Sequence, residues 1–345
     1  MTYFSKYACS KVSLMALFLL IVQFSSAQFD FTGVDSKVTQ YQKQLGGNVV
    51  VLVSKDDKII YQKAIGKEVT VTTQAPLYAS SQWLTAALVM TFVQEGKLSL
   101  DDPVSKYLPI FATYMKSYIT VRQCLNHTTG VAGEKGLVRR LKGYASLEEE
   151  VNEIASKKEI EARPGAEFIY NNQGLNIAGR ILEVISKKPF DRLMTDRILR
   201  PLGMKNTAFN NDKAINPSLG AVSSAMDFIH FQQMLVNKGV YNNKRVLSEA
   251  SVLEMEAATT TPAIIKYSPA STQGYTYCSG AWMQSTEEQE KATVFCSPSF
   301  NGTWPAIDTK NKYAFIVFTT SAQGEVKREV YLEIKTAIDN AIAAQ

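Results

Sequence analysis

Between residues 48 and 64, β-branched and apolar residues fall into two runs, Asn48 to Ser54 and Lys58 to Ala64, separated by Lys55-Asp56-Asp57. That pattern predicts a β-hairpin. Upstream, Asp35 to Leu45 carries helical spacing and stops at Gly46-Gly47. Gln82 to Glu95 predicts a second helix, with Leu84, Leu88 and Phe92 as an apolar stripe, Ser80 or Ser81 as its cap and Gly96 as its stop. From Tyr118 to about Gly239 the pattern is mostly helical: Ser146 with Glu149 reads as a capping-box start, and Asn176 to Ser186 and Phe190 to Leu199 read as helices. Strand character returns in Tyr275 to Gln284, Ala292 to Cys296, Thr303 to Asp308 and Tyr313 to Thr320. An amphipathic helix through Val326, Val330, Ile334 and Ile338 closes the chain. Strands at both ends with helices between them predict an α/β (α+β) fold in which one sheet is assembled from both termini. The expected division is a sheet lobe over about 28–110 and 240–345, with a helical lobe inserted over about 111–239.

The first residues change the picture of where the folded part begins. Lys6 and Lys11 precede the apolar run Val12 to Phe24, and Ser25-Ser26-Ala27 supplies small residues where a signal peptidase cuts. Residues 1–27 are therefore expected to be an export signal, with Gln28 as the mature start and a periplasmic or secreted destination. The apolar run is short for a spanning helix, which takes roughly 20 residues, and no later segment is long and apolar enough. Loss of Lys6 and Lys11 lowers the formal charge from +5 to +3 (5 − 2), with no basic run of five or more. Neither nucleic acid nor an anionic membrane surface is the expected partner. Cys124, Cys278 and Cys296 remain, too few for a disulfide framework, but Cys278 and Cys296 flank an expected hairpin and are read as cross-strand neighbours. Two isolated histidines, His127 and His230, with no Cys/His cluster, give no metal site and no cofactor site. The absence of a Gly-x-Ser-x-Gly elbow gives no α/β-hydrolase triad.

Several phrases stand in a fixed order along the mature chain. Trp83-Leu84-Thr85-Ala86-Ala87 runs on to Gly96-Lys97-Leu98-Ser99-Leu100-Asp101-Asp102-Pro103 and Tyr107-Leu108-Pro109. Leu125-Asn126-His127-Thr128-Thr129-Gly130, Tyr170-Asn171-Asn172, Pro201-Leu202-Gly203-Met204 and Met226-Asp227-Phe228 follow. Ser297-Pro298-Ser299 then precedes Gly302-Thr303-Trp304-Pro305 and Ile307-Asp308. Together they resemble the serine β-lactamase and D-alanyl-D-alanine peptidase superfamily, in its branch related to class C β-lactamases and esterases. The resemblance covers nearly the whole mature chain. It implies a β-lactamase/transpeptidase-like fold, a mixed antiparallel sheet lobe flanked by helices plus a helical lobe, with a ligand cleft between the lobes.

The chemistry implied by that resemblance is acyl transfer by a serine at a helix N-terminus, assisted by a lysine one turn later in Ser-x-x-Lys. In similar sequences the lysine directly precedes a tryptophan such as Trp83, which puts Gln82 at the lysine position and Ala79 at the serine position. A methyl group does not attack a carbonyl, and a carboxamide is not a base at neutral pH. Shifting the register pairs Ser80 with Trp83 or Ser81 with Leu84, and no register yields Ser-x-x-Lys. Ser80 is left as a helix cap or as a displaced nucleophile. Tyr170, in a Tyr-x-Asn signature with Asn172, is the candidate base, although a phenol titrates near pH 10 without a cation beside it. Asn172 is implied as a ligand contact. Ser297 and Ser299 occupy the third signature, where the family places a glycine that lets substrate lie along the strand edge. His127 is expected to be structural. Three functions are compatible with these residues: a non-catalytic relative whose cleft binds a small-molecule or peptide ligand (an ester-like metabolite or a peptidoglycan-type peptide) or a partner protein; a hydrolase or acyltransferase using Ser80 with Tyr170; or a non-covalent enzyme acting through positioning and oriented dipoles.

Overall fold

The computed structural model describes residues 29–133, 143–209, 214–261, 264–284, 293–321 and 327–344. Residues 1–27 and Gln28, Val326 and Ala292 lie outside the described residues. The N-terminal hairpin forms as Val49–Lys55 and Lys58–Ile65, with Asp56 and Asp57 both at positive φ in its turn. Val49–Lys55 also pairs antiparallel with Tyr313–Thr319, Val51 opposite Val317. That pairing joins the two ends of the chain into one seven-stranded sheet. Its order is 276–278, 281–284, 294–296, 304–308, 313–319, 49–55, 58–65. A strand that reads Val-Val-Val-Leu-Val with no polar alternation is what a sheet covered on both faces requires. Val49, Val51 and Val53 pack with Val34 and Val38 of the helix Thr32–Tyr41 and with Val330, Ile334 and Ile338 of the closing helix Arg328–Ala343. Val50 and Leu52 face the other core, shared with the helices Ser81–Val93 and Ala225–Val236.

The Ser81–Val93 helix differs from the expected amphipathic element. Every residue from Ser81 to Phe92 is buried, so the helix runs through the middle of the molecule instead of lying on it. Neither Ser80 nor Ser81 caps it. The helix continues from a 3₁₀ turn, Tyr78–Ser80, and the Ser81 N–H already donates to the carbonyls of that turn, which leaves the hydroxyls free for other partners. Ser146 does cap the helix Leu147–Lys157 by accepting from Glu149 N–H, while Glu149 returns its carboxylate to Ala145 N–H, one residue earlier than a capping box places it.

Tyr275 to Gln284, read as one strand, is a hairpin: Thr276–Cys278 and Ala281–Gln284 turn at Ser279-Gly280. This extra strand corrects the cysteine expectation. Trp282 pairs with Tyr277 on one side and with Cys296 on the other, so Cys278 and Cys296 sit on strands separated by a third. They also point to opposite faces, Cys278 into the core around the Ser81–Val93 helix and Cys296 into the core under the closing helix. Two strand spacings amount to about 9.5 Å, beyond disulfide reach. Cys124, Cys278 and Cys296 are free and buried.

Candidate functional site

Four segments meet at the start of the Ser81–Val93 helix. Gly280 is the reason the Thr276–Gln284 hairpin comes so close: at φ 84°, a Cβ there would lie 2.8 Å from the Gln82 carbonyl oxygen and 2.8 Å from Trp83 Cα. The segment after the strand Val294–Cys296 forms a second wall, its register continued by Ser297 N–H donating to the Pro305 carbonyl at 3.1 Å. The turn at His127 and the strand Phe168–Ile169 with Tyr170 form the third and fourth. Ile169 N–H donates to the His127 carbonyl at 3.0 Å and ties these two together.

Ala79 and Gln82 are both buried, and Gln82, fully so, faces this junction. The Gln82 carboxamide oxygen accepts from the Tyr277 hydroxyl at 3.2 Å and lies 3.1 Å from His127 Nε2, which is itself 2.9 Å from the Tyr277 oxygen. Asn171 N–H donates to His127 Nδ1 at 3.4 Å, which puts the imidazole proton on Nε2. Burial alone holds His127 neutral, lowering its pKa from 6.5 to about 3, and burial raises that of Tyr277. Rings surround the cluster: Tyr170 lies 4.6 Å from His127 and 5.5 Å from Trp282, and Phe168 lies 5.2 Å from Tyr277. Thus a neutral Gln–His–Tyr network stands where the resemblance implies an ammonium.

Ser80 is fully buried, and its hydroxyl donates to the Ser297 carbonyl at 2.5 Å. A backbone carbonyl does not take a hydroxyl proton at neutral pH. Both nitrogens of His127 are directed elsewhere, at Gln82, Tyr277 and Asn171. Ser81 accepts from Ala221 N–H at 3.1 Å. The Ser297 hydroxyl donates to the Gly280 carbonyl at 3.1 Å, which buttresses the hairpin. Ser299 N–H donates to the Thr303 carbonyl at 2.9 Å, while its hydroxyl is buried with no partner among the described residues. Asn172 heads the helix Gln173–Ser186 without a side-chain cap bond, and its carbonyl accepts from Ser218 and Asn176.

The structure therefore brings Ser80, Gln82 and Ser297 to one junction with Tyr170 on its aromatic wall, while Ala79 lies in the preceding 3₁₀ turn and Ser299 further along the Ser297 segment. Sequence reasoning missed Tyr277 altogether and passed His127 over; the only signal for Tyr277 was its place in a strand-like run. A surface depression lined by Met90, Gln94, Leu98, Arg122 and Glu254 opens at the opposite end of the same helix. Its guanidinium is already paired with Asp101 at 2.8 Å and with Glu254.

Against known proteins, the Beta-lactamase family pattern matches residues 34–337. A solved structure titled "putative beta-lactamase from Bacteroides dorei DSM 17855" is 26% identical, with a TM-score of 0.80 over 90% of this chain and 99% of that one. EstCE1, described as a hydrolase with promiscuous acyltransferase activity, is 20% identical, with a TM-score of 0.75 over 89% and 99% of the two chains, a likeness of fold. Protein flp of Staphylococcus aureus (strain MW2) is 26% identical over 182 residues, 49% of this chain and 36% of its own length. The chain thus spans about a third of that curated relative, and it belongs to the Beta-lactamase family.

Proposed function

We propose that this member of the Beta-lactamase family has lost serine acyl transfer and serves as a ligand-binding protein of the same fold. The observation that carries the reading is the Gln82–His127–Tyr277 network at the base position, combined with Ala79 at the nucleophile position. A displaced nucleophile at Ser80 needs a base, and its hydroxyl is committed to the Ser297 carbonyl. Tyr170 packs its ring on His127, and that histidine is neutral, so His127 does not serve as the cation that would assist the phenol. The ligand is a small molecule or peptide taken between the sheet and the helices, and the N-terminal pattern of residues 1–27 supports action outside the cytoplasm. Mass spectrometry of secreted protein tests the latter; a chain starting at Gln28 is expected.

The activity test combines a fluorophosphonate probe, a chromogenic cephalosporin and short p-nitrophenyl esters on the full mature chain. No covalent label and no turnover above the buffer rate are expected. Robust turnover that disappears in Ser80→Ala would replace this reading with a hydrolase using Ser80.

A further inference from the structure

The far end of the Ser81–Val93 helix carries chemistry that the junction does not use. A depression of about 620 Å³ opens there, within the size range of small-molecule sites. Its floor is apolar: Met90, Leu98 and Leu100 are buried, and Val93 packs on the same core. One wall is the helix Glu249–Glu256, tied on by Ser248 N–H donating to Gln94 Oε1 at 2.8 Å, while Gln94 Nε2 donates to the Val246 carbonyl at 3.3 Å. A second wall runs from Ser99 to Asp101, fastened by Arg122 N–H donating to the Leu100 carbonyl at 2.7 Å. The serines of the first wall are matched to each other, the Ser248 hydroxyl donating to that of Ser251 at 2.8 Å and accepting from Ser251 N–H at 3.0 Å. Charge is left as the feature that selects a ligand.

Among the described residues, the charged side chains lining the depression are Asp101, Arg122 and Glu254. Arg122 bridges the two carboxylates, with Nε at 2.8 Å from Asp101 and Nη1 on Glu254. Two carboxylates against one guanidinium leave the rim with a net charge of −1. The helix end adds to it: Met90 and Val93 belong to the last turn, Gln94 is the C-cap, and no basic residue stands in that turn to offset the partial negative charge of the helix dipole. An anion entering here meets two carboxylates and a guanidinium already neutralised by them. A cation meets the surplus carboxylate and the helix end, and the floor accepts hydrocarbon attached to it.

We propose that this depression binds a small apolar ligand carrying one ammonium group, its hydrocarbon on Met90, Val93, Leu98 and Leu100 and its charge beside Glu254 and Asp101. Gln82 and Val93 are separated by about 16 Å along the helix axis, so this site shares no lining residue with the junction at Ser80 and does not depend on the loss of acyl transfer.

The probes are 4-phenylbutylamine, 4-phenylbutanol and 5-phenylpentanoate, which share a phenylbutyl group and differ in its head: ammonium, hydroxyl or carboxylate. Each is titrated by calorimetry into the purified protein near neutral pH, where the amine is protonated. The amine is expected to saturate, to bind about threefold more tightly than the alcohol and at least about tenfold more tightly than the carboxylate, and to weaken with added salt. Glu254→Gln removes the surplus charge and should bring the amine down to the level of the alcohol, with the alcohol unchanged. Asp101→Asn makes the same change of charge on a side chain that is 74% exposed, and it decides if Glu254→Gln does not fold. Ala250→Trp, at an exposed position on the lip, fills the depression without touching the floor and should abolish binding of the amine. Circular dichroism checks that each variant is folded. No saturable binding of the amine, a carboxylate that binds as tightly, an amine preference that survives in a folded charge variant, or binding that survives in folded Ala250→Trp overturns the inference.

Discussion

Replacing His127 by Asn should flatten the acid side of the stability curve. His127 is 2% exposed, and its ring nitrogens are matched to Gln82, Tyr277 and Asn171 in the neutral form. Among the described residues its neighbours are a carboxamide, two phenols and an apolar ring. Its pKa is about 3 in the folded chain against 6.5 unfolded. The unfolded chain therefore binds the extra proton between those values, and the histidine's contribution, fully present above pH 6.5, is lost as the pH falls toward 3. Between pH 7 and pH 5 the linkage relation gives about 2 kcal/mol. That figure depends almost wholly on the unfolded value, because at pH 5 the folded histidine is essentially unprotonated. Asn is the chosen replacement because residue 127 has φ 57°, a region that Asn tolerates better than most residues. Guanidinium unfolding at pH 7, 6 and 5 is run on both proteins. The variant starts lower, having lost its bond to Gln82, yet should lose about 2 kcal/mol less than wild type over this range. His230 and the surface carboxylates contribute equally to both curves and cancel. Parallel pH dependence in the two proteins would refute the assignment of a buried neutral imidazole.

Ala79→Ser with Gln82→Lys should restore labelling by a serine-directed probe, because nucleophile and base act as a unit and neither alone suffices; a folded double mutant labelled no more than the single mutants would refute the register. Gln82→Lys alone buries an ammonium against a neutral imidazole and should lower stability by roughly 3 kcal/mol or more by denaturant titration. Gly280→Ala combines a strained φ of 84° with contacts at 2.8 Å to Gln82 and Trp83 and should cost more than about 2 kcal/mol; a midpoint within error of wild type would show that the hairpin does not rest on the helix. Cys124, Cys278 and Cys296 should resist a thiol reagent in the folded protein, since burial raises all three thiols, Cys296 to about 12. Reduction should leave the intact mass unchanged, and a two-proton gain would contradict the separation of Cys278 from Cys296.

Local chemistry along the chain determined a good part of this molecule. The run Val49 to Val53 is too uniformly apolar for anything but a strand covered on both faces, and Asp56-Asp57 sets its turn; the closing helix and the capped start at Ser146 follow from the same short-range rules. The family was legible because its phrases are contiguous and ordered, and the same resemblance implies Ala79 and Gln82 where it places a serine and a lysine. What the substitutions mean was not legible. Gln82 meets His127 across 45 residues of chain and Tyr277 across 195, and Ser80 finds the Ser297 carbonyl across 217. Only the closing of the sheet between the two termini decides those meetings, as it decides that one more strand stands between Cys278 and Cys296 and turns them to opposite faces. Period and propensity act over a few residues, whereas a buried polar atom takes whichever partner the folded backbone delivers to it, so the same serine that reads as a helix cap in the sequence becomes a cross-link between two walls in the structure.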